Sequence, residues 1–272
     1  MTDTHSHAPG EHARPAGANP SKILVLRPNS GISGDILVAG LALMAGHRPE
    51  DLPDVMDEMT DALGLPDLKG KIRVIPKEVS NIGGYGLSLD LPRERVHRTL
   101  REIAPFFRGS AFSPAAKELA LSAFEILAEA EGKVHGIPAS DVHFHEVGAL
   151  DSILDTGLAS AFFAEIDPDL FVCGPLPICD GAIECAHGVL PSPAPAVSHL
   201  LEGVTVRGFP SEGETVTPTG IALLKAFGAK FGDWPEMVVD AQALVYGTKT
   251  FPGVPNGALF ARGRAKAAPN PL

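Results

Sequence analysis

A strand, a glycine turn and a helix in close succession limit the fold of this chain more than any other feature. The continuous apolar run at 22–26 predicts a buried strand, and the apolar spacing at 36–45 predicts a helix. Between them, the segment Asn29-Ser30-Gly31-Ile32-Ser33-Gly34-Asp35 predicts a tight turn. Units of this kind are typical of a sheet that is covered by helices.

The remaining predicted elements alternate in the same way. Helices are predicted over 51–63, 114–132 and 148–165, and strands over 71–79, 86–91 and 169–173. Gly83-Gly84-Tyr85 is predicted to be a flexible turn between two of the strands, and 178–190 a hairpin or irregular loop. No linker interrupts this alternation. We therefore expect an α/β fold, with a mainly parallel or mixed sheet covered by helices, in a single large domain over 21–264.

The composition is that of a globular protein and excludes several kinds of partner. Hydrophobic residues make up 44% and charged residues 20% of the 272 residues. The net charge of −11 argues against nucleic acid and anionic membranes as partners. No apolar run reaches the roughly 18 residues of a membrane span, so the cytoplasm is the expected location. The three cysteines have neither the number nor the spacing of a disulfide framework or a closed zinc site.

Both ends of the chain are predicted to be disordered tails, over 1–20 and 265–272. The first tail holds His5, His7 and His12 among proline, glycine and alanine, without periodicity. Histidine-bearing tails sometimes gather soft metal ions, but a passive tail is the simpler interpretation.

The segment 142–155 is the strongest candidate for a functional site. If His143-Phe144-His145 is extended, both imidazoles lie on one face and Phe144 on the other. In the helix that follows, Asp151 and Asp155 stand one turn apart on the same side. Imidazoles at a strand end beside carboxylates at a helix start predict a metal site or an acid–base site. The alternative is structural, because an acid in a first helical turn favours the helix dipole.

Two further turns carry candidate residues. Ser33, Gly34 and Asp35 open the first helix, where backbone N–H groups can face an anion, although capping also explains Asp35. At the second turn, Thr217 and Pro218 are typical of an N-cap and a first helical position. Glu214 precedes this turn, and Thr219 and Gly220 are predicted to leave N–H groups open to a phosphate.

These segments together resemble the nickel insertion protein family. The resemblance includes the block from His143 to Asp155, the run from Ser30 to Asp35, Lys133-Val134-His135-Gly136 and the segments 191–196 and 212–220. All of them occur in the family's order and together span nearly all of 21–264. The family usually has an aspartate and a cysteine just before the first run, where this chain has Arg27 and Pro28.

The resemblance implies a function in making the nickel-pincer cofactor of lactate racemase. Family members insert nickel into a pyridinium bisthiocarboxylate mononucleotide, in a reaction linked to CTP hydrolysis and assisted by a divalent ion such as manganese or magnesium. The implied roles are as follows: metal ligands His143, His145, Glu146 and, more weakly, His187; acid–base groups Asp35, Asp151 and Glu214; and ligand-binding positions Ser33, Gly34, Thr217, Thr219 and Gly220.

Three hypotheses follow for the activity. Family members continue into a C-terminal domain associated with the nucleotide triphosphate, so we expect this chain to be the N-terminal portion of a two-part cyclometallase of the lyase class. It would then need a second polypeptide, and we also expect a homo-oligomer. The alternative is a nickel-binding or delivery protein without turnover. A third class is a metal-dependent hydrolase on the same residues.

Overall fold

The computed structural model describes residues 21–91, 96–145, 147–185 and 188–266. The predicted tail 1–20, and the predicted C-terminal tail from residue 267 onward, lie outside these ranges. The helices are α1 (Gly34–Met44), α2 (Leu52–Ala62), α3 (Leu100–Gly109), α4 (Pro114–His135), α5 (Leu150–Ile166), α6 (Pro195–Leu200) and α7 (Pro218–Ala226). The strands are β1 (Ile23–Pro28), β2 (Ile72–Val79), β3 (Ile82–Leu89), β4 (Arg98–Thr99), β5 (His143–Phe144), β6 (Leu170–Cys173), β7 (Leu176–Ile178), β8 (Ala182–Cys185), β9 (Gly188–Pro191), β10 (Val206–Gly208), β11 (Lys230–Phe231), β12 (Met237–Val245) and β13 (Ala258–Ala265).

A seven-stranded mixed sheet is the centre of the fold. Its strands follow the order β11-β6-β1-β13-β12-β3-β2. The pairs β1–β6, β6–β11 and β12–β3 are parallel, whereas β1–β13, β12–β13 and β2–β3 are antiparallel. The predicted α/β class, with a mixed sheet and helices in one domain, is confirmed. No described helix is long and apolar enough to cross a membrane.

Strand β1 is buried on both faces, as its continuous apolar run predicts. Leu24 and Leu26 belong to the main hydrophobic core, whereas Ile23 and Val25 belong to a second, smaller cluster. Because side chains alternate along a strand, each pair faces one side of the sheet. A strand with two buried faces needs an unbroken apolar sequence.

The hairpin of β2 and β3 turns at a different place from the one predicted. The turn is made by Ser80 and Asn81, which have φ angles of +53° and +61°. Two such residues match the tight turn that the twist of a two-residue hairpin requires. The predicted turn at Gly83-Gly84-Tyr85 is wrong, because these residues lie within β3. A β-carbon on Gly84 would stand 2.6 Å from the carbonyl oxygen of Leu244, so this glycine allows β12 to approach.

Helix α4 begins where the sequence predicts but ends later. The Ser113 Oγ accepts a hydrogen bond from the Ala116 N–H, and Pro114 is the first helical residue. The predicted end at Gly132 is wrong, because the helix continues to His135 and is closed by Gly136 in the left-handed region. Gly132 is instead a packing position, where a β-carbon would stand 2.8 Å from the carbonyl oxygen of Ile137.

One backbone pairing fixes the beginnings of two helices side by side. The Ile32 N–H donates to the carbonyl of Thr215 at 2.9 Å, and the Thr217 N–H donates to the carbonyl of Ile32 at 3.0 Å. Ile32 lies just before α1, and Thr217 is the N-cap of α7. This pairing of two loops therefore places the beginnings of α1 and α7 side by side, and α5 packs against both.

Candidate functional site

A cavity of about 340 Å³ lies where α1, α5 and α7 begin. Its wall includes residues from the caps or the first two turns of all three helices: Ser33, Asp35, Asp151, Asp155 and Thr217. Glu214 and Lys249 come from the neighbouring loops. We call this space the acidic cavity. It brings together five of the predicted site residues, namely Ser33, Asp35, Asp151, Glu214 and Thr217.

Three of the acidic side chains have a hydrogen-bond partner. The Ser33 hydroxyl donates to Asp35 Oδ1. The Ser152 N–H donates to Asp151 Oδ1 at 2.7 Å, as expected for an acid in a first helical turn. Lys249 Nζ lies 3.3 Å from Glu214 Oε2. These three carboxylates are therefore held at fixed positions on the wall.

Asp155 is the fourth acid; its spacing from Asp151 places it in the predicted metal or acid–base site, although the family resemblance implies no separate role for it. Its Oδ1 is buried and has no hydrogen-bond partner among the described residues. Burial raises the pKa of Asp155 well above its ordinary value, and the nearby charges of Asp35 and Asp151 act in the same direction. The sequence feature that indicates a role for Asp155 is its spacing of one helical turn from Asp151, at the margin of the apolar stripe of α5.

Gly34 makes room for this carboxylate. A β-carbon on Gly34 would stand 2.3 Å from Asp155 Oδ2. The glycine at the start of α1 therefore allows close packing against α5, and this position admits no side chain without displacement of Asp155. Gly34 thus contributes to the acidic cavity through its lack of a side chain.

Thr219 and Gly220 lie beneath the wall rather than on it. Thr217 Oγ1 accepts a hydrogen bond from the Gly220 N–H at 3.1 Å, so that group caps α7. Gly220 is buried, and a β-carbon there would stand 2.9 Å from the carbonyl oxygen of Ile32. Thr219 is also buried. Neither residue is part of the cavity lining, whereas the N-cap Thr217 is.

A second cavity of about 400 Å³ is lined by imidazoles, and we call it the histidine cavity. His135, at the end of α4, and His145, after β5, both belong to its wall. Their ring centroids are 5.9 Å apart, and the ring of His97 lies 4.5 Å from that of His145. Glu131 Oε2 lies 3.6 Å from His135 Nε2. The hairpin of β8 and β9 forms another part of this wall through Ala182, Ile183, Glu184 and Leu190.

The four predicted metal ligands are not all brought together. His143 is exposed and pairs with Thr99 in a two-stranded sheet, outside both cavities. The Thr99 N–H and hydroxyl lower the pKa of Glu102, and His143 has a smaller effect in the same direction. Glu146 and His187 lie outside the described residues. Within the described ranges, no three histidine, cysteine or carboxylate side chains are arranged to hold a metal ion.

The two cavities share a wall. Glu214 and Lys249 line both of them, and Pro218 at the start of α7 also faces the histidine cavity. The aspartates of the acidic cavity and the imidazoles of the histidine cavity therefore lie on opposite sides of one ion pair. Helix N-termini, which favour an anion as Lys249 does, lie on one side, and two imidazoles, a type of side chain that binds borderline metal ions, lie on the other.

Arg27 and Pro28, which depart from the family pattern, lie outside both cavities. Arg27 Nη1 donates to the carbonyl of Gly232 at 2.6 Å, and its guanidinium lies 5.4 Å from the centre of the Trp234 ring. The carbonyl of Pro28 accepts a hydrogen bond from Arg207. Neither residue lines the acidic or the histidine cavity. Arg27 therefore has a structural role here.

Comparison with known proteins identifies the relatives of this chain. A family model described as nickel insertion protein matches residues 24–267. A protein named for nickel insertion from Geotalea daltonii is 37% identical over 238 residues, covering 86% of this chain and 59% of that protein. The corresponding protein from Myxococcus xanthus is 37% identical over 251 residues, covering 92% and 62%.

A third relative has a more specific name. The pyridinium-3,5-bisthiocarboxylic acid mononucleotide nickel insertion protein of Geobacillus kaustophilus is 36% identical over 245 residues, covering 86% of this chain and 58% of that protein. This chain thus spans about three-fifths of the length of these curated relatives. No solved structure matches it significantly.

Proposed function

This chain belongs to the nickel insertion protein family, and on that basis we propose that it takes part in inserting nickel into a pyridinium bisthiocarboxylate mononucleotide, the precursor of the nickel-pincer cofactor of lactate racemase. One observation carries this proposal. An acidic cavity at three helix N-termini and a cavity lined by imidazoles meet at Glu214 and Lys249. The helix N-termini and Lys249 of the first cavity suit the phosphate of the mononucleotide, and the imidazoles of the second suit a nickel ion, which is a substrate of the reaction.

The acidic cavity offers each part of the precursor a chemically suitable surface. The N-termini of α1 and α7, with Ser33 and Thr217 at their caps, favour the phosphate, and Lys249 adds a positive charge. Phe251 and the leucines of β3 form an apolar side for the pyridinium ring, and the face of Phe251 favours its positive charge. Asp35, Asp151 and Glu214 then act as acid–base groups around the bound ring.

The nickel ion is proposed to bind on the histidine side. His145 is the predicted ligand that lines this cavity, and His135 is a further imidazole on the same wall. Imidazole is a suitable ligand for nickel. Glu146 directly follows His145, and His187 follows the hairpin strand β8, so both remain proposed ligands. His143 is the weakest member of the set, because its side chain is exposed outside the cavity.

The complete reaction is proposed to need a second polypeptide in addition to this chain. We propose that CTP and a manganese or magnesium ion bind to a part that corresponds to the stretch of the relatives that this chain does not match. The described residues do not fit a preformed site for that ion, because no three ligand side chains converge. We propose a cytoplasmic complex of this chain with that part, acting as a cyclometallase.

Calorimetric titration with nickel tests this proposal. Residues 1–20 are first deleted, so that His5, His7 and His12 do not bind the metal. His145→Ala should weaken nickel binding at least about tenfold, since one ligand bond to a metal is lost. His143→Ala alone should have a smaller effect. His47→Ala is the matched control, because His47 pairs with Glu165 away from both cavities. Unchanged affinity in the double variant His143→Ala/His145→Ala would exclude the histidine site.

A nickel delivery protein without turnover is the second candidate. It is favoured by one observation: the imidazoles lie in a cavity of their own, separated from the aspartates of the acidic cavity by the Glu214–Lys249 pair. The two functions differ in one result. The cyclometallase yields a metallated precursor, detected by its mass, when this chain is combined with CTP, manganese and the unmatched part of the Geobacillus kaustophilus relative. The delivery protein binds nickel under the same conditions without forming that product.

A further inference from the structure

We infer that Asp155 accepts the proton that leaves the pyridinium ring when nickel bonds to carbon; this inference rests on the proposed function. The two thiocarboxylates at positions 3 and 5 flank the ring carbon at position 4. A nickel ion held by both sulfur atoms therefore faces the hydrogen on that carbon. Insertion breaks this C–H bond and uses its electron pair for the new C–Ni bond. The proton goes to a base, nickel stays divalent, and no oxidant or reductant is needed.

Asp155 is the acid of this cavity whose acceptor atom is both buried and without a partner among the described residues. Asp35 accepts from Ser33, Asp151 accepts from the Ser152 N–H, and Glu214 is paired with Lys249. Asp155 Oδ1 is buried and lacks a hydrogen-bond partner among the described residues. A buried carboxylate oxygen without a donor is costly unless a ligand or a proton satisfies it. The incoming proton does so.

The surroundings of Asp155 favour the protonated form. It stands one helical turn from Asp151, and Asp35 lies on the facing helix α1. Burial and these two negative charges raise its pKa, while Lys249 on the cavity wall is paired with Glu214. A carboxylate with a raised pKa is a stronger base, so it takes a proton from a weakly acidic carbon more readily than an ordinary aspartate.

The position of Asp155 is also fixed, as proton transfer requires. Its carboxylate packs against Gly34 at the start of α1. Helices α1 and α5 both contribute to the main hydrophobic core, through residues such as Leu37 and Leu154. A base on a rigid helix keeps its distance to the ring carbon. The cavity is open to solvent, so the proton can afterwards leave to water.

The test is a single-turnover insertion assay with Asp155→Asn. The precursor, nickel, CTP, manganese and the unmatched part of the Geobacillus kaustophilus relative are present in every reaction, and the product is detected by mass. Removal of a general base lowers rates by about 10²–10⁴-fold. Asp155→Asn should therefore slow insertion by about 100-fold or more, with precursor and nickel affinities within about threefold of the wild type. Glu165→Gln, on the far end of the same helix and paired with His47, is the control.

The outcomes separate this inference from the proposed function. Insertion at the wild-type rate by Asp155→Asn would overturn the role of Asp155 and leave the function standing. A wild-type chain that binds nickel and precursor but forms no product would overturn both the cyclometallase and the base. A matching loss in Glu165→Gln would also overturn the assignment, since it would show a general effect of α5. Thermal unfolding confirms that each variant is folded.

Discussion

The carboxylate of Asp155 packs directly against the α-carbon of Gly34, close enough that a β-carbon there would stand 2.3 Å from Oδ2. This contact joins the beginning of α1 to the second turn of α5. It places a buried acid at the edge of the acidic cavity and fixes how closely the two helices approach. Asp155 can therefore share one space with Asp35 and Asp151 because the residue it contacts is glycine.

Gly34→Ala should destabilise the protein by about 1–3 kcal/mol, the usual cost of overpacking a well-packed site. The new methyl group must displace Asp155, whose Cβ would also be only 2.7 Å away. Chemical denaturation measures the change. Gly109→Ala is the matched control, because Gly109 ends α3 and a β-carbon there meets nothing within 4 Å. In the Gly34→Ala/Asp155→Ala double variant, part of the loss should be recovered. Purely additive effects would show that this contact is not the cause.

The sequence predicted those features that depend on local pattern. The apolar run of β1, the Ser113 cap of α4 and the one-turn spacing of Asp151 and Asp155 needed only residues near one another in the chain. The prediction of a turn at Gly83 and Gly84 is wrong, because glycine favours turns and also allows close contact between strands. The contact that decides between the two, Gly84 with Leu244, joins residues far apart in sequence.

The site was predictable to a similar degree. Asp35, Asp151 and Glu214 could be chosen as acids beside helix starts, and they share the acidic cavity. The importance of Asp155 depends on its burial and on the charges of Asp35 and Asp151, which only the packing of α1 on α5 brings near. Likewise, His145 faces His97 and His135, whereas the extended pattern had paired it with His143.

Asp155→Asn should raise the stability of the folded chain at neutral pH. The pKa of Asp155 is raised above its ordinary value of 3.8, so the folded state holds this proton more tightly than the unfolded state does. The folded protein therefore loses stability as the pH rises from about 4 through the raised pKa. Asparagine is never ionised and avoids this loss. Thermal unfolding of both proteins should show a variant that is more stable by a few degrees at pH 7, with little difference near pH 4. A difference that does not change with pH would contradict ionisation as the cause.

Two helix caps offer a matched pair of substitutions. Thr217→Ala and Ser113→Ala each remove a side-chain oxygen that accepts a backbone N–H bond, so each should cost about 1 kcal/mol. Denaturant titration measures both losses. Thr217 lines the acidic cavity, and Ser113 does not. Thr217→Ala alone should therefore also weaken binding of the precursor in calorimetry. Equal precursor affinity in the two variants would remove Thr217 from the proposed binding site.

The ion pair of Glu214 and Lys249 should matter for binding rather than for stability. Its side chains are 24% and 61% exposed, and such pairs contribute less than about 1 kcal/mol to the free energy of unfolding. A lysine hydrogen-bonded to a phosphate contributes more, so Lys249→Met should weaken precursor binding about tenfold while the unfolding midpoint stays nearly unchanged. Lys266→Met is the control, because Lys266 forms a similar exposed pair with Glu236 outside both cavities. Because salt screens exposed charges, the difference between the wild type and Lys249→Met should shrink as ionic strength rises. A loss of affinity that does not change with ionic strength would indicate that Lys249 acts through packing of its loop and not through its charge.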